Sequence, residues 1–351
     1  MSQVTAVRPE PFVSEGSSPP AATPSGFQPG FTGLRCRSCG TPQETAALFV
    51  CPRCFGPLEP TYDLAGLRQR LTREAIEARP SGVWRFAELL PIEHLPSAPA
   101  RVGDSPLVEV PRLAAAIGLD RLWVKDDSRN PTLSFKDRPV AIATARAIEF
   151  GFHTLACAST GNLAPAVAAA AAANGLRAVV FVPADLEAAK VAQARALGAT
   201  VVRVDGPYDA VNRLCLELTD ELEGWAVVNV NVRPYYAEGS KTIAFEIARQ
   251  LGWRSPDVVV APLASGSLYT KLAQAFDELT ESGLVERGEV QFVGGQETGC
   301  AAIADALPPA PTWSAGRAPD RHRALAGHRV PGGRALRGAS RAGVAGVTVR
   351  R

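Results

Sequence analysis

From Leu122 onward the chain alternates between two hydrophobic patterns. Short apolar runs rich in valine are followed by longer stretches in which apolar residues recur every three or four positions. The first pattern predicts buried strands and the second amphipathic helices. Strands are expected at 122–125, 154–158, 178–182, 200–204, 226–230, 257–261 and 290–293, and helices at 138–150, 163–174, 186–197, 208–222, 239–251 and 268–279. This alternation builds parallel sheet through right-handed crossovers, an α/β architecture. Ligands in such sheets bind beyond the carboxyl ends of the strands. The loops at 159–162 and 263–267 each follow a strand and fall at that edge.

The flanks behave differently. Residues 63–120 are mixed: a helical period runs from 64 to 78, another element begins at Trp84, and a short strand at 107–110 precedes a helix at 112–117 ended by Gly118. Residues 1–30 are rich in Pro, Ser and Gly, with acids at Glu10 and Glu15. They lack the basic start and apolar core of a secretion signal and are expected to be a disordered leader. After Pro308 the alternation stops.

Composition adds limits. A hydrophobic share of 46% with 21% charged residues describes an ordinary soluble chain with a substantial core, and no apolar run is long enough for a membrane span. The net charge of +2 hides an asymmetry: residues 308–351 carry nine arginines and one acid, Asp320, so the rest of the chain is net acidic. A basic tail of this kind raises nucleic acid as a partner. The reading preferred here is a segment foreign to the preceding fold.

Four of the seven cysteines form two pairs, Cys36-x-x-Cys39 and Cys51-x-x-Cys54, separated by eleven residues. Each pair aims two thiolates at one centre, with a glycine after it for the turn. Four thiolates suit tetrahedral structural zinc and leave no open position for catalysis. Residues 31–62 are therefore expected to be a small zinc ribbon. A site without metal, a redox pair and a nucleic-acid-binding ribbon are the other readings of the same spacing. Cys157, Cys215 and Cys300 sit singly in apolar surroundings, as buried inert thiols do. Paired metal-type cysteines beside buried single ones suit a reducing cytoplasm.

The candidate chemistry begins with lysine. The chain has five (Lys125, Lys136, Lys190, Lys241 and Lys271), and arginine supplies the other bases. Lysine can form a Schiff base or act as a general base where arginine cannot. Lys136 opens a helix within Ser134-Phe135-Lys136-Asp137-Arg138, where the helix dipole favours the neutral amine. About twenty residues on, Ala158-Ser159-Thr160-Gly161-Asn162 leads from a strand into an alanine-rich helix. A third loop, Ala264-Ser265-Gly266-Ser267-Leu268, again joins strand to helix, and its small residues let successive N–H groups converge on a phosphate. Alone, the first is a surface lysine, the second a common helix start and the third a weak signal. Together they offer a primary amine and a backbone anion cradle, the two things pyridoxal phosphate needs.

These residues carry a family likeness. The chain resembles threonine synthases of the fold-type II pyridoxal-phosphate group. The likeness rests on Ser134-Phe135-Lys136-Asp137-Arg138, on Ala158-Ser159-Thr160-Gly161-Asn162 and on the Glu-Gly-x-Lys-Thr segment Arg233-Pro234-Tyr235-Tyr236-Ala237-Glu238-Gly239-Ser240-Lys241-Thr242, and it spans about residues 31–307. It implies two parallel-sheet α/β lobes within residues 63–307, a soluble cytoplasmic enzyme and O-phosphohomoserine as the small-molecule substrate, with a homodimer left open. It implies that Lys136 carries the cofactor and moves protons and that Asn162 contacts the ring oxygen. By the same likeness Ala264, Ser265, Gly266, Ser267 and Leu268 hold the cofactor phosphate, although this loop departs from the glycine/asparagine cup common in the family. Arg138, Ser159, Thr160 and Lys241 are then expected at the substrate phosphate. Threonine dehydratase and other fold-type II lyases or synthases are neighbouring alternatives. A catalytically impaired fragment and a zinc-ribbon binding module are alternatives of another class.

The likeness ends near Leu307. With GC-leaning codons, a one-nucleotide shift of residues 323–332 reads Ala-Arg-Ser-Leu-Ala-Ile-Gly-Ser-Pro-Ala, a string such synthases carry in this region. A frameshifted C-terminus that leaves the catalytic region incomplete is the expectation, and a genuine basic, disordered tail is the alternative.

Overall fold

The computed structural model of the chain describes residues 27–96, 101–297, 301–305 and 344–349. Most of the expected leader and tail lies outside these residues. An N-terminal antiparallel sheet contains β1 (Phe31–Cys36), β2 (Pro42–Gln43) and β3 (Leu58–Tyr62) in the order β2-β1-β3. Two short helices follow, α1 (Leu64–Arg70) and α2 (Arg73–Glu77). The single helix expected over 64–78 is broken because Thr72 turns its hydroxyl to the Ala75 N–H and caps a new start. A 3-10 segment at Val83–Leu89 leads to β4 (Leu107–Glu109), α3 (Pro111–Ala116) and β5 (Trp123–Lys125). β4 and β5 pair antiparallel, so β5 stands outside the parallel sheet that the alternation predicted for it.

The region from 137 on follows the predicted order closely. α4 (Asp137–Glu149) is followed by β6 (Thr154–Ala158), α5 (Leu163–Ala173), β7 (Arg177–Pro183), α6 (Ala188–Ala196), β8 (Thr200–Val204), α7 (Tyr208–Glu221) and β9 (Trp225–Val227). The four strands form a parallel sheet in the order β8-β7-β6-β9. The chain runs outward from β6 to β8 and then returns to lay β9 on the other side of β6. The crevice beyond β6 and β9 is therefore the point where strand order reverses, the usual ligand position in such sheets.

Next come α8 (Arg233–Glu238), α9 (Lys241–Gln250), β10 (Val258–Pro262), α10 (Ser267–Glu281), β11 (Gln291–Glu297), α11 (Ala302–Asp305) and β12 (Val344–Val349). β10 and β11 pair parallel, and β12 lies antiparallel on β11, so residues 344–349 of the basic tail join this sheet. No helix among the described residues is long and apolar enough to cross a membrane.

Two large cores hold these parts together. Leu67, Ile76, Phe86 and Leu89 join Ile142, Phe245, Phe276 and Phe292 in one. The second places Leu34, Cys36, Cys51 and Leu58 of the N-terminal sheet against α4, α5, β6, β7 and Tyr235. The Cys-rich segment is thus packed into the α/β body. Each large apolar side chain buried in this way contributes roughly 1.5–3 kcal/mol relative to exposure.

Candidate active site

The turn before α4 is closed by its own side chains. Ser134 Oγ accepts the Lys136 N–H at 3.1 Å, and the Asp137 carboxylate accepts both the N–H and the hydroxyl of Thr132 at 2.8 Å. Leu133, between them, holds a left-handed φ of 61° and is exposed, a strained position next to the reactive motif. Gly239, at the junction of α8 and α9, lies against the start of α4. A Cβ there would stand 2.5 Å from the Arg138 carbonyl oxygen and from Pro139 Cα. The glycine of the Glu-Gly-x-Lys-Thr segment is thus explained by backbone contact with the lysine's own helix.

Lys136 Nζ donates to Tyr236 Oη at 3.1 Å and lies 4.6 Å from the Phe135 ring centroid. Burial holds its amine below the ordinary lysine range. The other four lysines each have a carboxylate partner: Lys125 with Glu246, Lys190 with Glu187, Lys241 with Glu238 and Glu278, and Lys271 with Glu238 and Glu59. Among the described residues Lys136 alone has none. Its hydrogen-bond partner Tyr236 lies near Cys157 of β6, Tyr208 and Arg233, toward the crevice. Tyr208 Oη donates to the Ala158 carbonyl at 3.2 Å, at the tip of β6.

The loop after β6 is only partly free. Ser159 Oγ accepts the N–H groups of Gly161 and Ala164 and donates to the Gly161 carbonyl, so this buried hydroxyl caps α5. That use conflicts with its expected place at a substrate phosphate. Thr160, Gly161 and Asn162 are exposed, and a Cβ built on Gly161 meets nothing within 4 Å. Just past β9, Asn229 Oδ1 is buried without a hydrogen-bond partner among the described residues. An amine without a counter-charge and an exposed small-residue loop after β6 fit a ligand bearing an electrophile and polar substituents. In the other lobe, Gly266 takes a left-handed φ of 81° at the start of α10. Ala264 and Ser265 are exposed beside it, while Leu268 packs on the core that Phe135 also touches. Among the described residues no hydrogen bond joins this loop to Lys136.

Arg138 and Lys241 are corrected by the structure. Arg138 is fully buried and binds Asp127, Glu246, Thr242 and Ser105 through six hydrogen bonds of 2.6–3.0 Å. Lys241, also fully buried, lies 2.6 Å from both Glu238 and Glu278 and 4.0 Å from the Tyr62 ring centroid. Their charges are consumed inside the fold, and neither is open to a substrate phosphate. Tyr236 is the residue that sequence reasoning missed. Tyr236 was in view inside the motif, but its partner is a hundred positions away.

The four paired cysteines do converge. Their sulfurs all lie within 4.8 Å of one another, with Cys36–Cys54 at 3.5 Å and Cys39–Cys51 at 3.8 Å. Zinc at about 2.3 Å from four tetrahedral sulfurs needs edges of about 3.8 Å. The Thr41 hydroxyl and then its amide hold Cys39 down to about 6, while at Cys54 the Gly56 amide is outweighed by the Cys36 and Cys39 sulfurs, which push that thiol up to about 12. The turns differ from expectation in detail. Gly40 takes a left-handed φ of 71°, but in the second knuckle Phe55 does so, at 58°. Gly56 is needed instead for closeness, since its Cβ would stand 2.9 Å from Cys36 Sγ. Cys157 and Cys215 are buried with thiols pushed up by desolvation, as inert core cysteines are. Cys300 lies outside the described residues.

A separate cleft of about 250 Å³ runs between α4 and α5. Its walls are largely alanine, with Trp84, Thr144 and Asp137, and none of the expected site residues lines it.

Comparison with known proteins agrees with this geometry. The family described as pyridoxal-phosphate dependent enzyme matches residues 99–351, a span that includes the basic tail. A threonine synthase from Methanosarcina acetivorans is 36% identical over 255 residues, covering 72% of this chain and 62% of the relative. One from Methanocaldococcus jannaschii is 33% identical over 275 residues, covering 78% and 67%. The chain thus spans roughly three fifths to two thirds of these relatives' length. Among solved structures, maize serine racemase aligns at 20% identity with a TM-score of 0.49, covering 59% of this chain and 62% of that one.

Proposed function

This chain belongs to the pyridoxal-phosphate dependent enzyme family, and from that premise we propose that it is a threonine synthase, converting O-phosphohomoserine and water into threonine and phosphate. The observation that carries the reading is Lys136: a half-buried amine without a carboxylate partner among the described residues, hydrogen-bonded to Tyr236 near the crevice where strand order reverses. The substrate assignment is supported by relatives at 36% and 33% identity that bear this name.

Pyridoxal phosphate, when bound, supplies an electrophilic carbon for a primary amine and a ring that takes up the charge left by a departing proton. The remaining work falls to the chain. Lys136 Nζ is the amine, and a neutral amine held in a dry setting can take a proton from one substrate carbon and return it to another. Asn162 offers an exposed amide to the ring oxygen. The free N–H groups from Ala264 to Leu268, at the start of a fifteen-residue helix, suit the cofactor phosphate. With Arg138 and Lys241 sequestered, Thr160 is the expected residue still open to the substrate phosphate. Over the reaction, phosphate leaves the γ-carbon and water supplies the hydroxyl of the β-carbon.

Cys36, Cys39, Cys51 and Cys54 are proposed to bind one structural zinc ion. Four sulfur ligands would leave it no place in the chemistry. Residues 31–62 then form the ribbon and 63–307 the catalytic body, in two lobes.

The test is direct. Purified protein reconstituted with pyridoxal phosphate should release phosphate from O-phosphohomoserine, and Lys136→Ala should not. Oxo-acid formation from threonine without phosphate release would instead make it a dehydratase. The absence of a visible cofactor band would mark a non-catalytic chain. Metal analysis should find one zinc per chain, lost in Cys51→Ser.

A further inference from the structure

Helix α8 has two faces. The Cys-rich ribbon contacts it at three residues, Tyr235 and Glu238 on one face and Arg233 on the other. The Arg233 guanidinium lies 5.9 Å from the ring centroid of Phe49, which belongs to the ribbon's inner loop. Tyr235, fully buried, donates its hydroxyl to the Ala46 carbonyl of the same loop at 2.8 Å and packs edge-on against Phe31 of β1 at 6.2 Å. Tyr62, at the end of β3, donates to Glu238 Oε2 at 2.7 Å. Glu238 is held in turn by Lys241 and Lys271, and Lys271 reaches back to Glu59 of β3 at 3.4 Å. The face that carries Arg233 presents Tyr236 to Lys136 Nζ.

A helix of six residues has little stability of its own, so its placement comes from what packs against it. Here most of that packing comes from the ribbon and, through Gly239, from the start of α4. We infer that Tyr236 is a positioning residue for the Lys136 amine, and that the four-cysteine ribbon sets its position by holding α8. The ribbon's metal would then act on the reactive lysine through three contacts and one short helix, without touching it.

This inference rests on the reading of Lys136 as the cofactor lysine, and the experiment separates the two. Apo protein is mixed with pyridoxal phosphate and quenched with borohydride at set times. The hydride fixes the cofactor on the lysine it has reached, and peptide mass spectrometry locates it. In wild type the label is expected on Lys136. Tyr236→Phe should slow labelling about tenfold, the scale of one hydrogen bond, at an unchanged urea midpoint. Tyr235→Phe, which removes the hydroxyl's bond to the Ala46 carbonyl, and stripping zinc with a chelator should each slow it about threefold, about half of that hydrogen bond in free energy. Label on another lysine in wild type overturns the cofactor reading, and this inference with it. Label on Lys136 at an equal rate in Tyr236→Phe overturns the inference alone. An effect of Tyr236→Phe with none from Tyr235→Phe or zinc removal overturns the ribbon's part in it.

Discussion

Lys136 and Lys241 stand at the starts of two helices that meet at Gly239, and both are withdrawn from water. Around Lys241 the fold places Glu238 and Glu278 at 2.6 Å and the face of Tyr62 above. Around Lys136 it places two rings, Phe135 and the Tyr236 phenol, with no carboxylate. Lys241 is fully buried and Lys136 half-buried, so burial alone would point to the wrong one as the proposed cofactor lysine. The counter-charge separates them. A carboxylate stabilises the ammonium and ties it down, whereas desolvation without one favours the neutral, nucleophilic amine.

The largest effect that would break this contrast is at Lys136 itself. Lys136→Ala should lower phosphate release by at least about 10²–10⁴-fold, the scale of a positioned general base, while the urea midpoint stays put. A stopped assay and a denaturation curve on the same preparation check both halves. Lys241→Met should do the reverse. It leaves Glu238 and Glu278 facing each other in the core, and breaking a buried pair costs roughly 3–5 kcal/mol. Urea unfolding should report that loss while Lys136 still loads cofactor.

Acid sharpens the comparison further. Burial pushes the Glu238 carboxyl up, but Lys241 and then Lys271 outweigh it and hold it at about 2, against 4.5 for the free group. Its stabilisation is complete above pH 4.5 and drains away as pH falls toward 2. Glu278 runs the other way: burial first, and Glu238 beside it, raise its carboxyl, so it protonates early and softens the loss. Stability followed by urea midpoint from pH 5 to 3 should therefore fall, and Glu238→Gln should flatten the slope. The smallest effect belongs to an exposed pair. Glu109 and Arg121 are bonded at 2.8 Å on the surface, and Glu109→Gln should leave the urea midpoint unchanged within error.

Much of this was legible in one dimension. β6 and β8 occupy the predicted residues, and α5 and α7 end within one position of them, because the apolar period of a buried strand or an amphipathic helix is a local property. The convergence of the four cysteines was legible because few chemistries use that residue type at that spacing, and the same argument singled out Lys136 as the proposed cofactor lysine. The short helix α8 was missed, since six residues with a proline second carry no readable period. Arg138 and Lys241 were misplaced for a related reason. A conspicuous cation in a motif looks the same whether it faces a ligand or a buried glutamate, and Glu246 lies 108 residues from Arg138 and Glu278 37 from Lys241.

By itself, then, the sequence determined the alternation of strands and helices, the lysine able to form a bond with a cofactor, and the sulfur set able to hold zinc. Those follow from side-chain chemistry and from periods of two and about 3.6 residues. Only the tertiary structure decided which cations are consumed. Ion pairs such as Arg138–Glu246 join positions about a hundred residues apart, and no local pattern encodes such a meeting. The structure also decided that the ribbon is packed against the helix beside the reactive amine. That follows from a shared core and one glycine at a crossing, where only a residue without a Cβ lets the two backbones touch.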